Sequence, residues 1–395
     1  MALAVEAELL YEESRRAVLH AARELWQGQE VILGPQRPSI TSYVCPVTVS
    51  GTQLVAKYDW LGVPLVSVLR GARGDWAAVR DAQPSYVASS DLLAVREEQH
   101  HALLQRLGRP RVCEVEAQHG GVLFTRAAPG TPMAEAVVAR PGDTAEVLES
   151  VLLALRDLHG PKGDWHLREM RQVDHGSIVG AFMRTFRALG AVQYVRSVGE
   201  SPRLADPERE SVVRQFEGAV RRLVRLTAAV SPRSATVVFG NLQPEGVLLS
   251  GSRITLLAPA LHRAGGPEPD VARLVGRTLL LGLCQPEAYA ERQITDGAVA
   301  VLRGCLSALS REKRDAWLRQ VLVLWLMDLV TLLSACLCAP PGFLLTLPQE
   351  QLVGRALRVT AIADRVSGYL TGSKGGLDLL YAVVRELEYS AWAVR

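Results

Sequence analysis

Residues 239–249, Phe239-Gly240-Asn241-Leu242-Gln243-Pro244-Glu245-Gly246-Val247-Leu248-Leu249, constrain the fold more than any other stretch of this chain. Gly and Pro interrupt the backbone just ahead of an apolar strand. Ser250-Gly251-Ser252 then makes a two-strand turn, and Arg253-Ile254-Thr255-Leu256-Leu257 reads as the next strand from its β-branched and apolar content. Ala258-Pro259 follows, and Asp270-Val271-Ala272-Arg273-Leu274 opens a helix.

This succession resembles the catalytic region of aminoglycoside-phosphotransferase-type kinases. Their loop runs His-Gly-Asp-Leu-His-Pro-x-Asn before an apolar strand. The following strand ends in Ile-Asp, and an Asp-Leu-Ala-Arg-type helix start braces the loop about a dozen residues on. In that family the loop Asp is the base, the Asn helps hold magnesium, and the strand Asp is the main magnesium ligand. Here Gly240, Leu242, Pro244 and Val247-Leu248-Leu249 fit the skeleton. Phe239, Asn241, Gln243 and Gly246 stand for the His, Asp, His and Asn, and Ala258 stands for the strand Asp. A neutral amide cannot take a proton from a hydroxyl near pH 7, and neither Gly nor Ala offers a metal ligand. The resemblance therefore implies a kinase fold without ordinary kinase chemistry. It covers roughly residues 30 to 280.

The implied fold is α+β and bilobal, protein-kinase-like. A small antiparallel β lobe with a helix would occupy 1–129, and a large, mostly helical lobe 130–395, with the boundary near residue 130. Residues 5–28 read as a leading amphipathic helix and 31–60 as three strands. The third strand carries Lys57 in a Val-Ala-Lys pattern, like the phosphate-pairing lysine of kinases. Lysine otherwise occurs only at 162, 313 and 374. A helix over 92–107 offers Glu97 as the partner of Lys57, with Glu98 as the alternative. His100-His101 reads as exposed helix surface. The loop 34–39, with one Gly and two Pro, is a poor phosphate cradle. Residues 60–91 exceed what the family needs and read as a helical insertion able to dock a partner. Gly120 to Met133 resembles the family's hinge.

The chain has 395 residues, 48% of them hydrophobic, enough for a large core. A formal charge of +3 without a basic block gives no reason to expect nucleic acid. Glu6, Glu8, Glu12 and Glu13 stand where a signal peptide needs an apolar core, so a cytoplasmic setting with six reduced cysteines is expected. The run from Val321 to Cys338 is apolar but carries Asp328, so a buried helix is expected rather than a membrane span. His159, closing a Leu-x-x-Leu-His helix end, reads as structural, and Trp165, His166 and His175 follow it. From Asp270 onward the pattern predicts helices over 270–283, 294–309, 311–338, 349–371 and 376–393.

Three functions are open at this level. The first is a pseudokinase that binds a peptide substrate or a partner enzyme, an active kinase or a lyase. The resemblance extends to actinomycete pathways that dehydrate Ser and Thr in ribosomal peptides of lanthipeptide and thioamide-containing types. The second is a repurposed enzyme acting on a phosphopeptide, with Arg253, His262 and Arg263 near the old metal position. The third is an atypical kinase with displaced ligands such as Glu245 or Asp270. No cofactor is expected: magnesium lacks its ligands, and ATP would rest on Lys57 and Glu97 alone.

Overall fold

The computed structural model describes residues 7–161, 163, 176–187, 189–230, 236–372 and 375–392. Trp165, His166, His175, Lys162 and Lys374 lie outside them.

Alternation builds the first of two compact units. In β2 (Tyr43–Val49) and β3 (Thr52–Tyr58), residues 45, 47, 49, 54, 56 and 58 are buried, which is the period of a strand with one face on a core. With β1 (Val31–Leu33), β4 (Val115–His119) and β5 (Val122–Arg126) they form an antiparallel sheet in the order β1-β2-β3-β5-β4. Helix α1 (Ala7–Leu25) leads into it and buries Leu10, Ser14, Val18, Ala21 and Ala22 along one stripe. Between β3 and β4 come α2 (Leu65–Leu69), α3 (Trp76–Val87) and α4 (Leu93–Leu107). The insertion over 60–91 is thus helical, and α2 buries four of its five residues.

The second unit opens with α5 (Met133–Ala139), α6 (Thr144–Ala154) and α7 (Arg156–His159). Helices α8 (Ile178–Phe186), α9 (Leu189–Gly199) and α10 (Asp206–Leu226) follow. Two small antiparallel sheets then appear. One is β6 (Thr131–Pro132), β8 (Val247–Ser250) and β9 (Arg253–Leu256), and the other pairs β7 (Thr236–Val238) with β10 (His262–Ala264). The rest of the chain is α11 (Glu268–Leu283), α12 (Ala288–Ser307), α13 (Arg311–Leu337), α14 (Leu347–Gly354), whose first four residues group with the first unit, α15 (Ala356–Thr371) and α16 (Gly376–Trp392). Long enough and apolar enough to cross a membrane, α13 nevertheless has 83% of its most apolar window buried inside the protein.

The α+β architecture, an antiparallel N-terminal sheet followed by helices, is the one expected. Three expectations need correction. The units are not contiguous at 1–129 and 130–395: Leu107–Arg111 belongs with the second, and Cys338–Glu350 returns to the first. Phe343 stacks at 5.9 Å on Tyr11 of α1, and the Leu344 amide donates to the Tyr11 hydroxyl at 3.1 Å. A continuous apolar pattern cannot reveal that return. The helix expected over 349–371 is two helices broken at Arg355. His100 and His101 are buried, not exposed, at 0% and 2%. They extend the buried stripe of α4 that includes Ala94, Glu97 and Leu104, and His101 Nδ1 lies 2.9 Å from the Cys113 carbonyl. Burial pushes the His101 imidazole down to about 4, so it stays neutral.

Candidate functional site

In the second unit, β7 delivers the chain to Phe239, and Gly240 then turns it with φ +81°. A Cβ at Gly240 would sit 2.2 Å from the Ala260 carbonyl oxygen, so glycine is needed for both reasons. The turn is held by one buried carboxylate. Asp270, in the first turn of α11, accepts from the Phe239 amide at 2.7 Å and the Gly240 amide at 2.9 Å. His159 Nε2 lies 2.8 Å from the same carboxylate, and the Thr236 hydroxyl donates to the His159 carbonyl at 2.6 Å. Burial alone would raise the Asp270 carboxyl. The His159 ring and the two amides outweigh it and hold the group below the usual carboxylate range.

One helical turn on, Arg273 donates to the Gly240 carbonyl and, at 3.0 Å, to the Gly176 carbonyl. Its Nε donates to Asp328 of α13 at 3.2 Å, and Arg277 Nε donates to the other Asp328 oxygen at 2.5 Å. Burial again works against ionisation of Asp328, and the charges of Arg277 and Arg273 overcome it. The carboxylate inside the apolar stretch of α13 is therefore the counter-ion of the loop's clamp. Asp270 and His159 act as the sequence suggests, as braces. The Arg273–Asp328–Arg277 cluster is not legible there, because α13 is distant in sequence.

Where the base and main metal ligand are expected, the structure places Asn241 and Ala258 together. Asn241 Nδ2 donates to the Ala258 carbonyl at 3.3 Å. Ala258 itself has φ +51°, a left-handed conformation that Asn and Asp tolerate better than Ala. Gly246 closes the short helical turn 244–246, and its carbonyl accepts the Leu257 amide at 2.8 Å. This set has no anionic donor, so it does not fit a magnesium ion. Among the described residues no three His, Cys, Asp or Glu are grouped to hold a metal.

Asp270 has both oxygens committed to the loop, so it is unsuited as a displaced ligand. His262 is on β10 and buried, not on a solvent-facing loop. Its Nδ1 lies 3.1 Å from the Ala260 carbonyl, which makes Nδ1 the protonated nitrogen.

In the first unit, Lys57 of β3 forms an ion pair with Glu97 of α4, the carboxylate favoured from the sequence, and not with Glu98. Two residues missed from the sequence stand beside this pair. Asp59, just past β3, is 4% exposed and accepts from Tyr86 Oη at 2.8 Å and the Gly62 amide at 3.1 Å. Burial pushes its carboxyl up to about 6; the Glu97 charge adds to this, while Tyr86, Lys57 and the Gly62 amide oppose it.

Because the folded value lies above the ordinary 3.8, the charged form is the costly one. The penalty is absent below 3.8, grows with pH, and is complete above about 6. It amounts to roughly 3 kcal/mol for a group this deeply buried. Asp59→Asn removes it. Denaturation of both proteins at pH 4 and pH 7.5 should show the variant gaining roughly 3 kcal/mol on the parent across that window. An unchanged difference would refute the buried-charge reading.

The sequence matches no protein-family model and no curated protein. It is similar to solved structures at low identity. A choline/ethanolamine kinase family protein from Mesorhizobium loti is 16% identical, covering 96% of this chain and 99% of its own, with a TM-score of 0.48. A thermostable mutant of aminoglycoside phosphotransferase APH(4)-Ia, solved with ADP and hygromycin B, is 12% identical over 89% and 98%, with a TM-score of 0.48. Amicoumacin kinase, solved with AMP-PNP, is 12% identical over 90% and 96%, with a TM-score of 0.48.

Proposed function

We propose that this chain is a kinase-like binding protein that does not transfer phosphoryl groups. It holds a peptide or a partner enzyme, an active kinase or a lyase, within a modification complex. Dehydration of Ser and Thr in a ribosomal peptide is the reaction class that fits such a component. The observation that carries the reading is the Asn241–Ala258 contact. An amide meets a backbone carbonyl where a base and a metal ligand would have to stand, while the Asp270, His159 and Arg273 frame keeps the turn in shape. A loop kept rigid without its chemistry serves as a surface.

On this reading no magnesium is bound, and Lys57, held by Glu97, is the anchor for an anionic group. Release of ADP from ATP by the purified full chain, with magnesium or manganese, tests it. Parent and Asn241→Asp/Ala258→Asp should be compared. The parent should stay at the protein-free rate. Metal-dependent release by the parent, above that rate and abolished by EDTA, would overturn the reading.

A further inference from the structure

Four helices of the second unit leave a space between them. Val275 and Leu279 of α11, Leu302 of α12, Leu322 and Trp325 of α13 and Val383 of α16 stand in its wall. No described residue of that wall carries a charge or a hydroxyl. Counting its mouth, which is open to solvent, the space measures about 350 Å³. Its closed part is slim, with room for a body about the width of a water molecule.

The way α16 is held accounts for the space. That helix packs chiefly along α15 and less closely on α12 and α13. Its polar ties run to α15 as well. Glu386 accepts from the Tyr369 hydroxyl and pairs with Arg365, and Arg358 donates to the Leu387 carbonyl at 3.4 Å. Every wall residue is buried except Val384 of α16, which is half-buried and marks the mouth.

One polar side chain belongs to this apolar wall. Trp325 is 4% exposed, and its Nε1 donor finds no acceptor among the described residues. The nitrogen-bearing edge of the indole lies against Gly276, also in the wall. A Cβ there would sit 2.2 Å from Trp325 Cδ1 and 2.9 Å from Nε1, so the close approach needs glycine. A buried donor without a partner is costly, because it has given up water and gained nothing. Water would be poorly held here, since it needs two or more polar partners and the wall offers one. An apolar guest with a single acceptor satisfies both the wall and the donor.

We infer that this space is a binding site for the end of an unbranched acyl chain, with Trp325 Nε1 donating to the chain's carbonyl oxygen. The aliphatic wall takes the chain, and the slim closed part rejects rings. An acceptor-only oxygen, as in a ketone, ester or thioester, suits a wall with one donor. An alcohol would bury its own proton unpaired, and a carboxylate would bury a charge. The site uses none of Lys57, Glu97, Asn241 and Ala258, so it stands or falls apart from the reading of the loop.

Methyl n-pentyl ketone is the probe, and cyclohexyl methyl ketone is its ring-bearing counterpart. Each is titrated against the full chain, with binding read by saturation-transfer nuclear magnetic resonance. The straight ketone should bind saturably, and the ring ketone about tenfold more weakly or less tightly still. Trp325→Phe keeps an aromatic ring and removes the donor. It should weaken the straight ketone by about tenfold, the worth of one hydrogen bond. Val384→Phe narrows the mouth at a half-buried position and should abolish saturable binding; it serves as the test if Trp325→Phe does not melt cooperatively. No saturable binding by the parent overturns the site. Equal binding of the two ketones, or parent-level binding by Val384→Phe, overturns it too, because either means partition onto apolar surface. Parent-level affinity in a folded Trp325→Phe overturns the hydrogen bond and the choice of a carbonyl.

Discussion

Replacing Asp270 by Ala should destabilise the helical unit by roughly 3–5 kcal/mol, the cost of breaking a buried, fully bonded charge. The carboxylate is 0% exposed and satisfies two amides and a histidine at once. Alanine would leave the Phe239 and Gly240 donors buried without an acceptor, each a desolvation loss of about 1–3 kcal/mol. The turn at Gly240, φ +81°, would lose two of its restraints. Urea denaturation followed by hydrogen exchange at 239 and 240 measures both effects. The outcome also separates two functions. A displaced metal ligand would lose activity on substitution and keep its stability; a brace loses stability first.

Asp328→Ala should have an effect of the same order, roughly 3–5 kcal/mol, for a different reason. Here the removed group is the shared counter-ion of two guanidiniums, buried Arg273 and partly buried Arg277. Neither can shed its charge at accessible pH, so both would remain ionised without their shared counter-ion. Arg273 would also lose the restraint that aims it at the Gly240 carbonyl. Asp328→Asn keeps an acceptor and loses the charge, and it should fall between parent and alanine. Denaturation of the three proteins side by side checks the order. An alanine variant as stable as the parent would mean that the cluster contributes nothing to the loop.

Local periodicity made much of this fold readable. The alternation in β2 and β3 placed Lys57 on the face opposite Ala56 and Tyr58, and the spacing along α4 favoured Glu97 over Glu98. The span from Ala258 to Asp270 placed the brace. What stayed hidden depends on contacts between distant segments. His100 and His101 look solvent-facing until the fold buries both and sets the Cys113 carbonyl against the His101 ring. Asp328 looks like a flaw in an apolar helix until Arg273 and Arg277 surround it. Tyr86 has no periodic signature, because its role comes from a hydroxyl lying between Asp59 and the first amide of a helix that starts seven residues later. The return of 338–350 to the first unit has no local signal beyond Ala339-Pro340-Pro341-Gly342, which announces an end and not a destination.

The central claim is that the positions matching base and metal ligands have lost the capacity to bind a metal–nucleotide complex. Calorimetric titration of the full chain with ATP, with and without magnesium, tests it most directly. The account predicts the same result in both, either no binding or a weak, magnesium-independent affinity that falls on Lys57→Ala. Affinity that rises about tenfold or more with magnesium, worth about 1.4 kcal/mol, would contradict it, because it would require metal ligands that Asn241, Gly246 and Ala258 cannot supply.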